Sequence, residues 1–144
     1  MLVKQILKAK EITGVQTIAP DCSIAQAARQ LAQNRIGVLV VAQDATSPIK
    51  GVISERDIVY AIGLEGGGIL DEPVYALMTA KVATCSPDDS TETVMGMMSS
   101  GRFRHMPVMD GETLIGLISI GDVVKARIAD MAFENSAMTD WIRG

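Results

Sequence analysis

A serine followed three residues later by an aspartate occurs twice, each time directly after a short apolar run that begins with glycine. The pairs are Ser54 with Asp57 and Ser119 with Asp122. The free amides at a helix start attract anions such as phosphate, and a serine hydroxyl can donate to a phosphate oxygen. An ionised aspartate only accepts hydrogen bonds, so it suits two neighbouring hydroxyls, as on ribose. Phosphate and ribose close together describe a nucleotide, so each motif predicts a nucleotide site.

The alternative interpretation is that each motif only caps a helix, with the aspartate complementing the helix dipole. An internal repeat weighs against capping alone. Residues 51–59 return as residues 116–124, displaced by 65 positions, and Ser23 returns as Ser90, displaced by 67. The difference falls in the turn at 43–48, which is longer than its counterpart at 110–112. Such a repeat predicts two copies of one supersecondary unit and two related sites.

Apolar periodicity and turn residues predict the same five elements in each copy: strand, helix, strand, strand, helix. In the first copy the strands lie at 15–19, 37–42 and 49–53, and the helices follow Ser23 and Ser54. In the second copy the strands lie at 82–85, 106–109 and 114–118, and the helices follow Ser90 and Ser119. A short helix precedes each copy, at 3–7 and 74–78. The predicted fold class is mixed α/β (α+β), with tandem βαββα repeats.

We place the first repeat, with its N-terminal helix, at 1–66 and the second, with a C-terminal helical extension, at 67–144. A chain of 144 residues suits one compact domain built from two half-domains. The final helical pattern is longer than so small a core needs, so it either extends to pair with another chain or packs back on its own domain. Its apolar positions are Val124, Ala126, Ile128, Met131, Ala132, Met138 and Trp141.

Composition excludes several classes of protein. The net charge of −4 argues against a nucleic-acid binder, which needs a basic face. No run of about 20 apolar residues predicts a membrane span, and the first residues lack the pattern of a signal peptide. We therefore expect a cytoplasmic protein. Cys22 and Cys85 lack metal-site spacing and have only His105 to help them, so we expect two reduced thiols and no metal.

The pattern of an apolar strand, glycine, two apolar residues and Ser-x-x-Asp, present twice, resembles the cystathionine-β-synthase (CBS) domain pair, or Bateman module. The resemblance covers residues 3–127. It implies two βαββα units related by a pseudo-two-fold axis, with adenosine-type ligands in clefts between the copies. It also implies a regulatory role. Such pairs are usually fused to an enzyme, channel or transporter, and we expect this chain to be a stand-alone pair.

The resemblance implies that each motif serine faces phosphate, that each motif aspartate faces ribose, and that the opposite copy completes the cleft through its first two strands. Site A would then comprise Ser54, Arg56, Asp57, Val82, Ala83, Arg104 and His105. Site B would comprise Val15, Gln16, Gly37, Val38, Ser119, Gly121 and Asp122. No residue is assigned a catalytic role.

The two predicted sites differ in charge. Arg56, Arg104 and His105 in site A correspond to Gly121, Gly37 and Val38 in site B. Arginine binds phosphate as a planar fork, so site A should prefer the more phosphorylated end of a ligand. Site B should be uncharged and roomier, which suits the second nucleoside of a dinucleotide.

The sequence leaves three functions open. The first is an adenine-nucleotide-binding regulatory module for AMP, ADP, ATP or NAD(H), without a catalytic cofactor. The second is an interaction scaffold with empty clefts. The third is a small enzyme, which the missing nucleophile–base and phosphate-loop motifs disfavour.

We also expect a homodimer that acts on an unidentified target protein. CBS pairs typically form a flat disc of four repeats from two chains. The apolar helix positions that we expect at the dimer interface are Ile58, Ile62, Met95, Met97 and Met98, with pairing along 126–141.

Overall fold

A computed structural model describes residues 1–10 and 15–143 of the chain, with side chains at 1–10 and 15–136. The predicted apolar side chains of Met138 and Trp141 lie outside this described set. The chain divides into two compact units. The described residues 15–83 and 112–114 form the first unit, and 1–10, 84–111 and 115–143 form the second.

The first unit contains a three-stranded sheet in the order β1-β2-β3, built from β1 (Thr17–Ile18), β2 (Val38–Ala42) and β3 (Ile49–Ser54). Strand β1 runs parallel to β2, and β2 runs antiparallel to β3. Every residue of β2 is buried, as its continuous apolar run predicts. The buried core includes Ile24, Leu31, Leu39, Ile53 and Ile58.

Two helices flank this sheet, α2 (Ile24–Asn34) and α3 (Glu55–Glu65). Ser23 caps α2 as predicted: its hydroxyl accepts the Gln26 amide, and the Gln26 side chain accepts the Ser23 amide in return. The helix ends at Arg35, which adopts a left-handed conformation with φ 52°. Two 3₁₀ helices, Gly67–Asp71 and Val74–Ala76, complete the unit.

The second unit contains α4 (Thr91–Gly101), β4 (His105–Asp110), residues 115–119 of its hairpin partner β5 (Thr113–Ser119), and α5 (Ile120–Arg143). Ser90 caps α4, and Arg102 ends it at φ 55°, in the position that corresponds to Arg35. No helix among the described residues is both long and apolar enough to cross a membrane.

The first strand of each copy is shorter than predicted. Residues 15–19 contain only the two-residue β1. Residues 82–85 contain only a parallel bridge between Cys85 and Val108, because only the Cys85 amide and carbonyl pair with β4. Pro20 and Pro87 follow soon after, and proline lacks the amide needed to continue a strand.

The short helix before each repeat packs away from the repeat that follows it. Helix α1 (Val3–Lys10) belongs to the unit of the second repeat, where Val3 and Ile6 are buried and the Val3 amide bonds to the Asp89 carbonyl at 2.9 Å. The predicted helix at 74–78 is a 3₁₀ helix in the unit of the first repeat, where Val74 is buried and its amide bonds to the Cys22 carbonyl at 2.7 Å. The compact units therefore differ from the predicted division at 66/67, which placed α1 with the first repeat.

Gly51 offers a test of this packing. A β-carbon at Gly51 would collide with the Thr79 carbonyl oxygen, and Thr79 is paired with Val52 in both directions. We expect Gly51→Ala to lower the free energy of unfolding by about 1–3 kcal/mol, because backbone must move to admit the methyl group. Gly63→Ala is the control, since the space around it in α3 is open. It should raise stability by about 0.5–1 kcal/mol. Urea unfolding that ranks Gly51→Ala at or above Gly63→Ala would contradict this account.

Candidate functional site

The first Ser-Asp motif lies where β3 passes into α3. The Asp57 amide donates to the Ser54 hydroxyl at 3.1 Å, and the Ser54 amide donates to Asp57 Oδ2 at 2.9 Å. This is a complete capping box, so the capping interpretation is correct as far as it goes. Each of the two side chains can still form a further hydrogen bond. The Ser54 hydroxyl accepts here, which leaves its proton to donate, and a carboxylate has a second oxygen.

The second motif has the same geometry at the junction of β5 and α5. The Asp122 amide donates to the Ser119 hydroxyl at 3.1 Å, and the Ser119 amide donates to Asp122 Oδ2 at 2.8 Å. Both aspartates and both serines are half-buried. The two copies therefore present the same pair of groups, each held by its own backbone.

One contact distinguishes the second motif. Lys10, the last residue of α1, donates from Nζ to Asp122 Oδ2 at 2.8 Å and to the Leu117 carbonyl at 3.0 Å. Burial raises the pKa of the Asp122 carboxyl, but hydrogen bonds from Lys10 and the Ser119 amide outweigh burial and hold that pKa below its usual value. The predicted uncharged surroundings of Asp122 are therefore wrong, because α1 brings a cation to it.

Sequence reasoning missed Lys10, although a signal was present. The short helices at 3–7 and 74–78 are displaced by 71 positions, and the same displacement pairs Lys10 with Lys81. Extending that alignment by three residues would have marked both lysines as candidates.

In the first unit, several predicted site residues gather at the end of the sheet that carries Ser54. Val38 pairs directly with Ser54, the Glu55 amide bonds to the Gly37 carbonyl at 2.9 Å, and the Val40 amide bonds to the Gln16 carbonyl at 3.2 Å. Val15 precedes Gln16 at the same end. Arg56 is exposed in the first turn of α3, and Val82 and Ala83 are half-buried further along the chain.

The second unit repeats this arrangement around Ser119. The Ile120 amide bonds to the Arg104 carbonyl at 2.7 Å, as the Glu55 amide bonds to Gly37. Arg104 is exposed, His105 is half-buried at the start of β4, and Gly121 is exposed in the first turn of α5. Each unit therefore contains one Ser-Asp motif together with the residues at the start of the strands beside it. Sites A and B each draw on both repeats, and that combination stays a prediction.

The first unit also has a groove of about 560 Å³ between α2 and α3. Its lining is mainly apolar and includes Leu31, Ile58 and Ile62, with Arg35 and Glu55 as charged members. Neither Ser54 nor Asp57 lines it, but Glu55, which lies between them in the sequence, and Gly37, a predicted site B residue, do. Sequence analysis did not anticipate this groove.

The two cysteines differ in burial: Cys22 is half-buried and Cys85 is buried. Cys22 and Cys85 are both free. Burial raises the pKa of the Cys85 thiol to about 11, so it is protonated at neutral pH. Among the described residues, no group of three or more His, Cys, Asp or Glu side chains could hold a metal ion.

Solved structures share this fold. A CBS-domain containing protein from Agrobacterium tumefaciens is 42% identical, with a TM-score of 0.81 over 88% of this chain and 92% of that one. A protein with CBS domains from Burkholderia ambifaria is 39% identical, with a TM-score of 0.82 over 90% and 96%. The predicted fold class, tandem βαββα CBS repeats, is confirmed.

More distant structures contain adenosine compounds. A CBS domain protein from Pyrobaculum aerophilum, in complex with AMP, is 24% identical with a TM-score of 0.72 over 85% of this chain and 89% of that one. The CBS domain pair of protein MJ0100, in complex with 5′-methylthioadenosine and S-adenosyl-L-methionine, is 23% identical with a TM-score of 0.76 over 90% and 98%. At these identities the likeness shows the fold alone.

The sequence matches agree with the structures. The CBS domain-containing protein CBSX3, mitochondrial, from Arabidopsis thaliana is 31% identical over 127 residues, which are 86% of this chain and 62% of that protein. The chain thus spans somewhat less than two thirds of that relative. The family model of the CBS domain matches residues 3–64 and again residues 74–129. With both repeats matched and the fold shared, this chain belongs to the CBS domain family.

Proposed function

We propose that this chain is an adenine-nucleotide-binding regulatory module, with AMP, ADP, ATP or NAD(H) as its ligand. The observation that carries the proposal is the duplicated motif geometry. In both units a serine hydroxyl with a proton left to donate lies beside a half-buried carboxylate at the start of a helix. A phosphate oxygen suits the first group and the helix amides, and a ribose diol suits the second.

The adenosine part of the ligand is the better supported part. AMP, 5′-methylthioadenosine and S-adenosyl-L-methionine, found in the two distant CBS structures, have an adenosine group in common and differ beyond the 5′ carbon. This favours the aspartate–ribose contact as the common one. Side chains that differ between the copies, such as Arg56 and Gly121, would then select the chemical group attached at the 5′ carbon.

An interaction scaffold with empty clefts is the main alternative, and direct binding separates the two. A catalytic role is not proposed, because each motif serine bonds to a backbone amide and not to a base that could activate it. The target protein of the module and its cytoplasmic location stay predictions.

The ribose assignment predicts that Asp57→Ala and Asp122→Ala each weaken one binding event. A hydrogen bond to a charged group contributes roughly 1.5–3 kcal/mol, so the loss should be about 10- to 100-fold. Isothermal titration calorimetry with AMP and with NAD(H) measures it. Copurifying ligand, identified by mass spectrometry, would show which adenosine compound the protein selects.

Each aspartate-to-alanine variant also removes one of the two hydrogen bonds of a helix cap. The control must therefore remove a helix cap that is not part of a proposed binding site. Ser23→Ala removes the cap of α2, which lies outside both motifs. It should lower stability by about 1 kcal/mol and leave nucleotide affinity unchanged. Unchanged affinity in both aspartate variants, or an equal loss in Ser23→Ala, would reject the assignment.

We further propose that the module is a homodimer that uses exposed apolar side chains of α3 and α5. Tyr60 and Leu64 on α3 are 71% and 72% exposed, and Phe133 on α5 is 76% exposed. Of the helix positions expected from the sequence, Ile58 and Met98 are buried within their own units and cannot contribute. Large apolar side chains exposed on two helices favour burial against a partner over exposure to water in a monomer.

Light scattering should give about twice the chain mass of 15.3 kDa. Leu64→Glu and Phe133→Glu test the two helices separately, because a buried unpaired charge opposes association. At least one should shift the equilibrium toward monomer. A wild-type monomer at all concentrations would contradict the proposal.

A further inference from the structure

Three hydrogen bonds link Asp122, Lys10 and their neighbours, and among the described residues the first motif has no equivalent of those that Lys10 makes. Asp122 Oδ2 accepts both the Ser119 amide and Lys10 Nζ, each at 2.8 Å. Lys10 and Asp122 are only 24% and 23% exposed, so water weakens their attraction less than at an open surface. Asp122, the residue proposed to bind ribose, therefore already bonds to a cation of its own chain.

The first motif lacks such a partner. Within the described part of the chain, no ion pair involves Asp57. Lys81, the counterpart of Lys10 by the displacement of 71 positions, is exposed. The motifs are the same in their capping geometry and differ in this one contact.

We propose that Lys10 is an intramolecular competitor at Asp122 that makes this site select anionic adenosine ligands over neutral ones. The inference rests on the proposed function and adds to it the selectivity of one site. A ribose diol that takes both carboxylate oxygens must displace Lys10 from Oδ2. The ammonium then keeps only the Leu117 carbonyl and loses its counter-charge while still partly buried.

The phosphate of a nucleotide can restore that counter-charge. Asp122 lies in the first turn of α5, where the helix dipole and the Gly121 amide attract an anion, and Lys10 already reaches this turn. AMP can therefore exchange one ion pair for another. Adenosine has no anion to offer, so it bears the full loss of the Lys10–Asp122 pair.

Calorimetry in an Asp57→Ala background, which leaves Asp122 as the stronger site, tests this selectivity. The preference for AMP over adenosine, expressed as a ratio of dissociation constants, is compared in Lys10→Met and Lys8→Met. Lys8 is an exposed lysine of the same helix with no described ion pair. Lys10→Met should lower the preference about tenfold, by strengthening adenosine while AMP, which loses a competitor and a phosphate contact together, changes little, since the pair is a charge-assisted hydrogen bond. Lys8→Met should leave it unchanged.

Salt provides a second measurement that needs no variant at position 10, so it decides even where Lys10→Met does not fold. Raising the salt from about 0.05 M to about 0.5 M screens the Lys10–Asp122 pair and the Lys10–phosphate pair alike. Adenosine, which breaks the Lys10–Asp122 pair without replacing it, should then bind more tightly. AMP exchanges one ion pair for another, so it should not gain affinity. A merely structural lysine would not make adenosine bind more tightly as the salt concentration rises.

The outcomes separate the two proposals. If the wild-type protein binds neither adenosine nor AMP, this inference fails, and the proposed function fails with it only if ADP, ATP and NAD(H) do not bind either. If it binds them, but Lys10→Met and Lys8→Met keep the same preference or added salt does not tighten adenosine binding, the selectivity role of Lys10 is overturned and nucleotide binding stands. A lower preference in Lys10→Met alone, with tighter adenosine binding at high salt, supports the role.

Discussion

The reciprocal bond between a motif serine and its aspartate is the constraint on which both candidate sites depend. It ties the last residue of a strand to the first turn of a helix in two places, through one amide in each direction. Such a cap contributes about 1 kcal/mol to stability. Its larger consequence is positional. The same two bonds that start the helix leave the serine proton and one carboxylate oxygen unengaged, so each cap presents a donor and an acceptor side by side.

Capping and binding are therefore compatible roles of one arrangement, and neither excludes the other. A motif that served capping alone would place no demand on the residues around it. In both units the first amide of the helix donates to a carbonyl just before a neighbouring strand: the Glu55 amide to Gly37, and the Ile120 amide to Arg104. The first helix amide is thereby satisfied, and the serine hydroxyl takes the third. The amide between them, that of Arg56 or Gly121, and the motif side chains remain to meet a ligand.

The sequence predicted the features that recur and missed those that depend on packing between distant segments. The repeat, the buried strand β2 and the caps at Ser23 and Ser90 all follow from local pattern and turn chemistry. The strand predicted at 82–85 failed because periodicity does not show which backbone groups find partners, and here only Cys85 does. The burial of Met98 was missed for a related reason, since an apolar helix residue can face either its own core or a partner.

The placement of α1 shows why local reasoning could not reach the charge at Asp122. Lys10 and Asp122 are 112 positions apart, and they meet because Val3 and Ile6 bury their side chains in the unit of the second repeat. Leu7 packs closely on Gly116, where a β-carbon would force the end of the leucine side chain to shift. Apolar burial thus selects the position of the helix, and the charge follows as its consequence. Two motifs of the same sequence pattern acquire different electrostatics from the segments packed beside them, so ligand preference in this chain has to be read from its tertiary contacts and not from the motif.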